Sequence, residues 1–208
     1  MGRRSGRPDH GRLYDTAASQ AGYFTRAQAR ACGFSDALIH RHVESGRFIR
    51  IRRGLYRLRW FPDSPGEELA AVLLALGPQA VVSHESALGF HRLSDVVPSA
   101  VHVTVPRGMR WAAGRTPPGV VLHTARAPVP EEDVIAMGAL RVTRPTRSIV
   151  DAAEYGTAPE QIVLAVRQAL RLGLATVEEL RRAAAGRSRR VRRLIERGIE
   201  EAERPRAV

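Results

Sequence analysis

The chain has 208 residues, 33 of them basic against 21 acidic, and every basic residue is arginine. A hydrophobic share of 44% is that of a folded soluble protein rather than a disordered one. Without lysine there is no P-loop ammonium, no Schiff-base amine and no lysine of the common restriction-type nuclease core, so those chemistries are excluded. The formal charge of +12 is unevenly placed. Residues 1–62 hold 13 Arg and 4 acids, a net of +9, whereas the other 146 residues hold 20 Arg and 17 acids, a net of +3. The first third is thus the part expected to face a polyanion. Cys32 is the single cysteine, so no intrachain disulfide forms, and it reads as a space-filling core residue.

In chain order, residues 1–9 read as a disordered basic arm, and the pattern from His10 to Ser19 as a helix with Leu13, Tyr14 and Ala17 on one face. Gly22 breaks that pattern. Thr25 is a candidate N-cap for a short helix, Arg26 to Ala31, ended by Gly33. Ser35 is the cap of the next, Asp36 to Glu44, ended by Gly46. Two short helices joined by Cys-Gly-Phe have helix-turn-helix spacing. Phe48 to Arg52 reads as a strand, Arg53-Gly54 as a tight turn and Leu55 to Leu58 as the returning strand, so that a basic hairpin, or wing, directly follows the helices.

Phe61 to Gly66 reads as a hinge, and residues 67–208 as a second, α+β domain. There, Glu67–Leu76 and Val81–Phe90 are expected helices. Val101–Val105, Val120–His123 and Leu140–Thr143 are expected strands of one small sheet. Thr146–Tyr155, Pro159–Leu172, Thr176–Ala184 and Ser188–Glu203 are expected helices. The fold class is therefore α+β, a winged helix-turn-helix over residues 10–62 followed by a mixed domain with a small sheet and a helical C-terminus. The basic start lacks a following apolar segment of signal-peptide length, and the longest apolar stretch, Leu69 to Leu76, is too short to span a bilayer, so a cytoplasmic protein is expected.

In the second helix of the pair, Leu38, Ile39 and Val43 supply the buried face, with His42 as a packing residue. Ser35, Asp36, Ala37, His40, Arg41 and Glu44 are left outward. Ser35 and Ala37 lie near the helix start, where base edges are met, and His40 and Arg41 one turn on. In the hairpin, alternation puts Ile49 and Ile51 on one face and Arg50 and Arg52 on the other, with Arg53 at the tip. With Arg47 these form the candidate DNA-contacting set: Ser35, Ala37, His40, Arg41, Arg47, Arg50, Arg52 and Arg53. The bland reading of the same residues is solvated charge.

Ser83-His84-Glu85 invites a catalytic triad, but read as neighbours on one helix they point about 100° apart and do not line up. His84 and His91 are seven apart without a nameable ligand set, so no metal, cofactor or catalytic residue is expected. Arg147 and Asp151 have ion-pair spacing, with Arg144 beside them, and a structural role is set against a contact with phosphates or a protein. Near the end, Arg181, Arg182, Arg187, Arg189, Arg190, Arg192, Arg193 and Arg197 interleave with Val191, Leu194, Ile195 and Ile199. One face is buried and the other is either solvated or a second DNA contact.

Residues 21–60 resemble the N-terminal domain of AbiEi-family antitoxins of type IV toxin–antitoxin systems, through Thr25-Arg-Ala-Gln28, Gly33 and the hairpin from Gly46 to Arg-Arg-Gly54-Leu-Tyr56. The resemblance continues in Ser83 to Ala87 and Val142 to Asp151. It implies a repressor that binds double-stranded DNA at inverted repeats in its own promoter. It also implies a second domain that counteracts a nucleotidyltransferase-like toxin functionally rather than through a tight complex. Many relatives with this layout carry a Vsr-like endonuclease domain, and the absence of lysine here gives no expectation of nuclease activity. The alternative from another class is a protein- or RNA-binding antitoxin module without specific DNA recognition.

Overall fold

The computed structural model describes residues 7–109 and 116–204, which divide into two compact units: residues up to 78 together with 136–140, and 79–135 together with 141 onward. In the first unit, α1 (His10–Ala18) is capped by Asp9, whose Oδ1 accepts from the Arg12 N–H at 2.9 Å. The Asp9 N–H also donates to the Cys32 carbonyl at 2.9 Å, so the expected free arm is already tied down at its ninth residue. Its first six residues lie outside the described part.

After Gly22 comes β1 (Tyr23–Thr25), a strand that local patterning does not reveal. A Cβ on Gly22 would sit 2.6 Å from Phe61 and its φ is +83°, so both space and backbone demand glycine there. Helices α2 (Arg26–Ala31) and α3 (Asp36–Glu44) begin and end where the caps indicate. Thr25 and Gln28 form a complete capping box, and Ser35 Oγ accepts from the Leu38 N–H at 3.2 Å. Strands β2 (Phe48–Arg52) and β3 (Leu55–Leu58) complete an antiparallel sheet of order β1-β3-β2.

The helical side of this sheet covers Leu13, Ala17, Phe24, Ala29, Cys32, Phe34, Ile39 and Phe48. Phe24 is fully buried, edge-on to Phe48 at 4.9 Å and stacked near Tyr56 at 5.7 Å; such rings are the main apolar term in a unit of this size. Helix α4 (Glu67–Leu76) packs against β1 and β3, so the segment expected to be a hinge does not end this unit. The reason is Arg57. Its side chain is 10% exposed, lies 5.6 Å over the Tyr23 ring, and joins Asp63 at 2.9 Å to Glu67 at 3.0 Å.

The second unit is built on a sheet of order β6-β5-β4-β8-β7: β4 (Val81–Val82), β5 (Val101–Pro106), β6 (Val120–Ala125), β7 (Val134–Met137) and β8 (Leu140–Thr143). The expected helix over 81–90 is corrected. Val81 and Val82 are a strand between β5 and β8, and only His84–Phe90 is helical (α5). Two buried β-branched residues abutting a helix leave no periodic mark of the change. Helices α6 (Pro145–Tyr155), α7 (Pro159–Arg171), α8 (Val177–Ala185) and α9 (Arg189–Glu203) follow the sequence reading to within a residue or so. They enclose a core that includes Ile149, Ile162, Val166, Leu180, Val191, Ile195 and Ile199.

Helices α7 and α9 pack together with Gly198 at the contact, where a Cβ would lie 2.6 Å from Val166 Cβ. Gly198→Ala is therefore expected to overpack this contact and to lower stability by about 1–3 kcal/mol in a urea melt, despite alanine's better helix propensity. An unchanged or raised midpoint would contradict it.

Candidate nucleic-acid interface

The helix pair is set by charge as well as by its core. The Asp36 carboxylate, in the first turn of α3, receives Arg26 Nε at 2.7 Å and Arg30 Nη2 at 2.6 Å, both from α2, and Arg26 Nη2 meets its second oxygen directly. These guanidinium groups hold the Asp36 carboxyl well down, at about 2. Helical periodicity leaves Asp36 outward and unpartnered, because the pairing spans ten residues and a turn. The wing is tied to the same corner, since the Arg26 N–H donates to the Gly54 carbonyl at 2.8 Å.

On α3, Ile39 and His42 are buried and Leu38 and Val43 half-buried, while Ala37, His40 and Arg41 are exposed. His42 is a packing residue: its ring lies 4.8 Å from Phe48 and 5.8 Å from Phe34. Ser35 is exposed, but its oxygen is engaged in capping and only its proton is free to donate outward. His40 Nε2 rests 3.3 Å from Glu44.

In the wing, Phe48, Ile49 and Arg50 alternate as expected, opposite Leu58, Arg57 and Tyr56. The expected alternation then fails. Arg52 pairs with Leu55, leaving Ile51 as an extra residue in a bulge, 40% exposed rather than sharing a covered face with Ile49. A bulge of this kind bends the strand and increases its twist, which re-aims the residues nearest the tip. Gly54 closes the turn at φ +81°.

The arginines of this unit sort into two groups. Arg26, Arg30 and Arg57 are spent on carboxylates, and Arg59 Nε donates to the Gly46 carbonyl at 2.7 Å. Arg41, Arg47, Arg50, Arg52 and Arg53 have no acidic partner among the described residues, and all but the half-buried Arg52 are exposed. The five arginines of the candidate set are thus left without an acidic partner among the described residues, as are the exposed Arg7 and Arg12 near the start of the unit.

The residues that suggested a triad have a different arrangement from the one expected. Ser83 precedes α5 rather than lying on it, and His84 opens the helix at φ +52°. The two do meet: Ser83 Oγ accepts from Thr104 at 2.8 Å and lies 2.9 Å from His84 Nδ1. Glu85 does not complete a line. One of its oxygens accepts from Thr157 at 2.8 Å and the other is 3.8 Å from His102 Nε2. Ser83 is fully buried, so its oxygen is not presented to a substrate.

Around it lies a histidine cluster that sequence reasoning missed. His84 stacks on His123 with centroids 3.5 Å apart, His102 Nδ1 is 3.0 Å from His123 Nε2, and Tyr155 stands edge-on to all three rings. Burial, and then the neighbouring histidines, push His84 down to about 3 and His123 to about 4. Burial also lowers His102, against the opposing pull of Glu85. Among the described residues no group of three or more His, Cys, Asp or Glu is placed to hold a metal ion. His91 instead meets the Thr143 carbonyl through Nε2 at 2.7 Å.

Of the Arg144, Arg147 and Asp151 group, Arg147 and Asp151 pair as their spacing indicates, at 2.6 Å. Arg144 turns to the Glu132 carbonyl, and Arg187 takes the second Asp151 oxygen at 2.5 Å. Among the described residues no helix is long and apolar enough to cross a membrane.

Residues 12–59 match the family described as transcriptional regulator, AbiEi antitoxin, so the region that builds the helix pair and wing carries that family's N-terminal pattern. No curated protein matches the sequence. Among solved structures, the RV2827C protein from Mycobacterium tuberculosis is similar over 95% of this chain and 79% of that one, with a TM-score of 0.58. At 14% identity the likeness is one of fold, spanning both units.

Proposed function

We propose that this chain is a DNA-binding transcriptional regulator of the AbiEi antitoxin type, which represses its own operon through inverted repeats and counteracts a nucleotidyltransferase-like toxin. The observation that carries the DNA part is the uncompensated set Arg41, Arg47, Arg50, Arg52 and Arg53, distributed over a helix-turn-helix and its wing. Arginine forks suit phosphates and guanine edges, and a wing can follow the backbone or enter a minor groove. In this reading Ala37, His40 and Arg41, with Ser35 at the cap, face base edges, and Arg47, Arg50, Arg52 and Arg53 hold the backbone. An inverted repeat requires two copies, whether joined before binding or only on DNA. The antitoxin part rests on the family match alone.

The test is anisotropy of the purified chain on its own upstream duplex and on a scrambled duplex, across a salt series. Specific binding that weakens with salt is expected. Changing Arg50, Arg52 and Arg53 together to Ala should reduce the slope of log affinity against log salt by about 3 and weaken both duplexes alike. Arg41→Ala should cost about 1–3 kcal/mol on the upstream duplex only. Equal, weak affinity for both duplexes, insensitive to the wing, would leave the protein- or RNA-binding antitoxin module in its place.

A further inference from the structure

We propose that the corner between α8 and α9 is a second contact for a nucleic-acid backbone, formed by Arg182, Arg189, Arg192 and Arg193. The inference takes DNA as the ligand from the proposed regulatory function, but its residues belong to the other compact unit and are independent of the wing.

Residues 181–193 contain seven arginines and no acid. Arginine usage across the chain does not account for this, since residues 63–180 hold 10 Arg against 13 acids, a net of −3, while residues 181–208 hold 10 against 4, a net of +6. The structure divides the seven. Arg181 is held by Glu196 at 3.0 Å, Arg187 by Asp151 at 2.5 Å, and Arg190 donates to the Ala153 carbonyl at 2.9 Å. Arg182, Arg189, Arg192 and Arg193 are exposed and have no acidic partner among the described residues.

The buried side of α9 is Val191, Leu194, Ile195, Gly198 and Ile199, so Arg189 and Arg193 lie on the opposite side of an anchored helix. Arg192 is at its flank, where it also reaches the Ala185 carbonyl at 3.5 Å, while Arg182 comes from α8. Arg189 and Arg193 stand about 6 Å apart along its axis. Like charges three and four residues apart repel on a helix, a local cost that a bound row of phosphates would remove.

A protein partner fits less well. Interfaces between proteins take most of their energy from buried aromatic and apolar anchors, and no large hydrophobic side chain is exposed between residues 181 and 200. Guanidinium groups flanked by Ala, Gly and Ser instead match a ligand recognised through repeated negative charge.

The full-length chain with Arg182, Arg189, Arg192 and Arg193 changed to Ala should bind both the upstream and the scrambled duplex more weakly. Its salt slope should be smaller by about 2–4, and the matching Arg→Lys variant should recover most of the loss. An Arg→Gln set, which keeps the aliphatic stems, repeats the measurement should the Ala variant fold poorly by circular dichroism. Unchanged affinity and slope, while the wing variant loses both, would overturn this inference and leave the DNA reading standing. If neither variant moves binding, both fall. A variant that binds DNA normally but loses association with an acidic protein would assign the corner to that partner and also overturn the proposal.

Discussion

Asp151→Ala is expected to be among the most damaging single substitutions in the second unit, costing about 3 kcal/mol or more. The carboxylate is 6% exposed and lies between two guanidinium groups, Arg147 at 2.6 Å and Arg187 at 2.5 Å, with Arg147 also reaching Asp133 at 3.0 Å. Each hydrogen bond is charge-assisted, and removing the shared acceptor leaves two partly buried cations facing each other. Arg187 also joins the chain ahead of α9 to α6, so the loss extends beyond one helix turn. Asp151→Asn separates the contributions, because it keeps one acceptor but not the charge, and it should fall between wild type and Ala. Urea denaturation of the three proteins measures this. A midpoint for Asp151→Ala within about 0.5 kcal/mol of wild type would show the cluster to be solvated charge.

Stability is also expected to drop as the solution is acidified from pH 6.5 towards 4, by an amount on the order of a few kcal/mol. His84 and His123 are held neutral, at about 3 and about 4, against an ordinary value of 6.5 once unfolded. Below pH 6.5 the unfolded chain therefore takes up protons that the folded chain refuses. The stabilisation is complete above 6.5 and is lost progressively as pH falls through the folded values. Arg147 and Arg187 add to the refusal at His84, while Asp151 and Glu85 oppose it at His123. Asp36 acts in a lower window, since its stabilisation begins to go only below the ordinary carboxylate value. Urea midpoints at pH 7.5, 6.0 and 4.5 check the expectation, with His123→Gln expected to flatten the decline over that range. A decline that is unaltered in that variant would assign the acid sensitivity elsewhere.

What could be read from the sequence was what is encoded locally. The caps at Thr25 and Ser35 and the glycines at 33, 46 and 54 mark α2, α3 and the wing to the residue, because capping and positive φ are properties of a few adjacent residues. Strands β1 and β4, three and two residues long, are strands only by virtue of distant partners, Leu55–Arg57 for β1 and Val103, Thr104 and Val142 for β4, so nothing within them declares it. The bulge at Ile51 escaped for the same reason, being a property of a pairing rather than of a strand. The exposure of Arg41, Arg47, Arg50 and Arg53 was legible, and the half-burial of Arg52 beside the bulge was not. Nor was it legible which of their neighbours were already neutralised, because Arg26, Arg30 and Arg57 find their acids 10, 6 and 10 residues away across turns. The histidine cluster had one faint trace, the alternation that puts His102 and Thr104 on one side of β5. Its other members come from α5, β6 and α6.

The link from Asp36 to Arg26 and Arg30 is solvent-exposed, and this gives dissolved ions two places to act. Exposed ion pairs weaken as ionic strength rises, so the angle between α2 and α3 is expected to be stiffer in dilute buffer than in concentrated salt. A helix that relaxes its own bearing as salt is added presents a softer surface at the same moment that the ions compete for its ligand. The salt dependence of anything bound by α3 then reports the mechanics of the reader together with the charge of what is read. Asp36→Asn, which removes the first contribution and leaves the second, is the substitution that tells them apart.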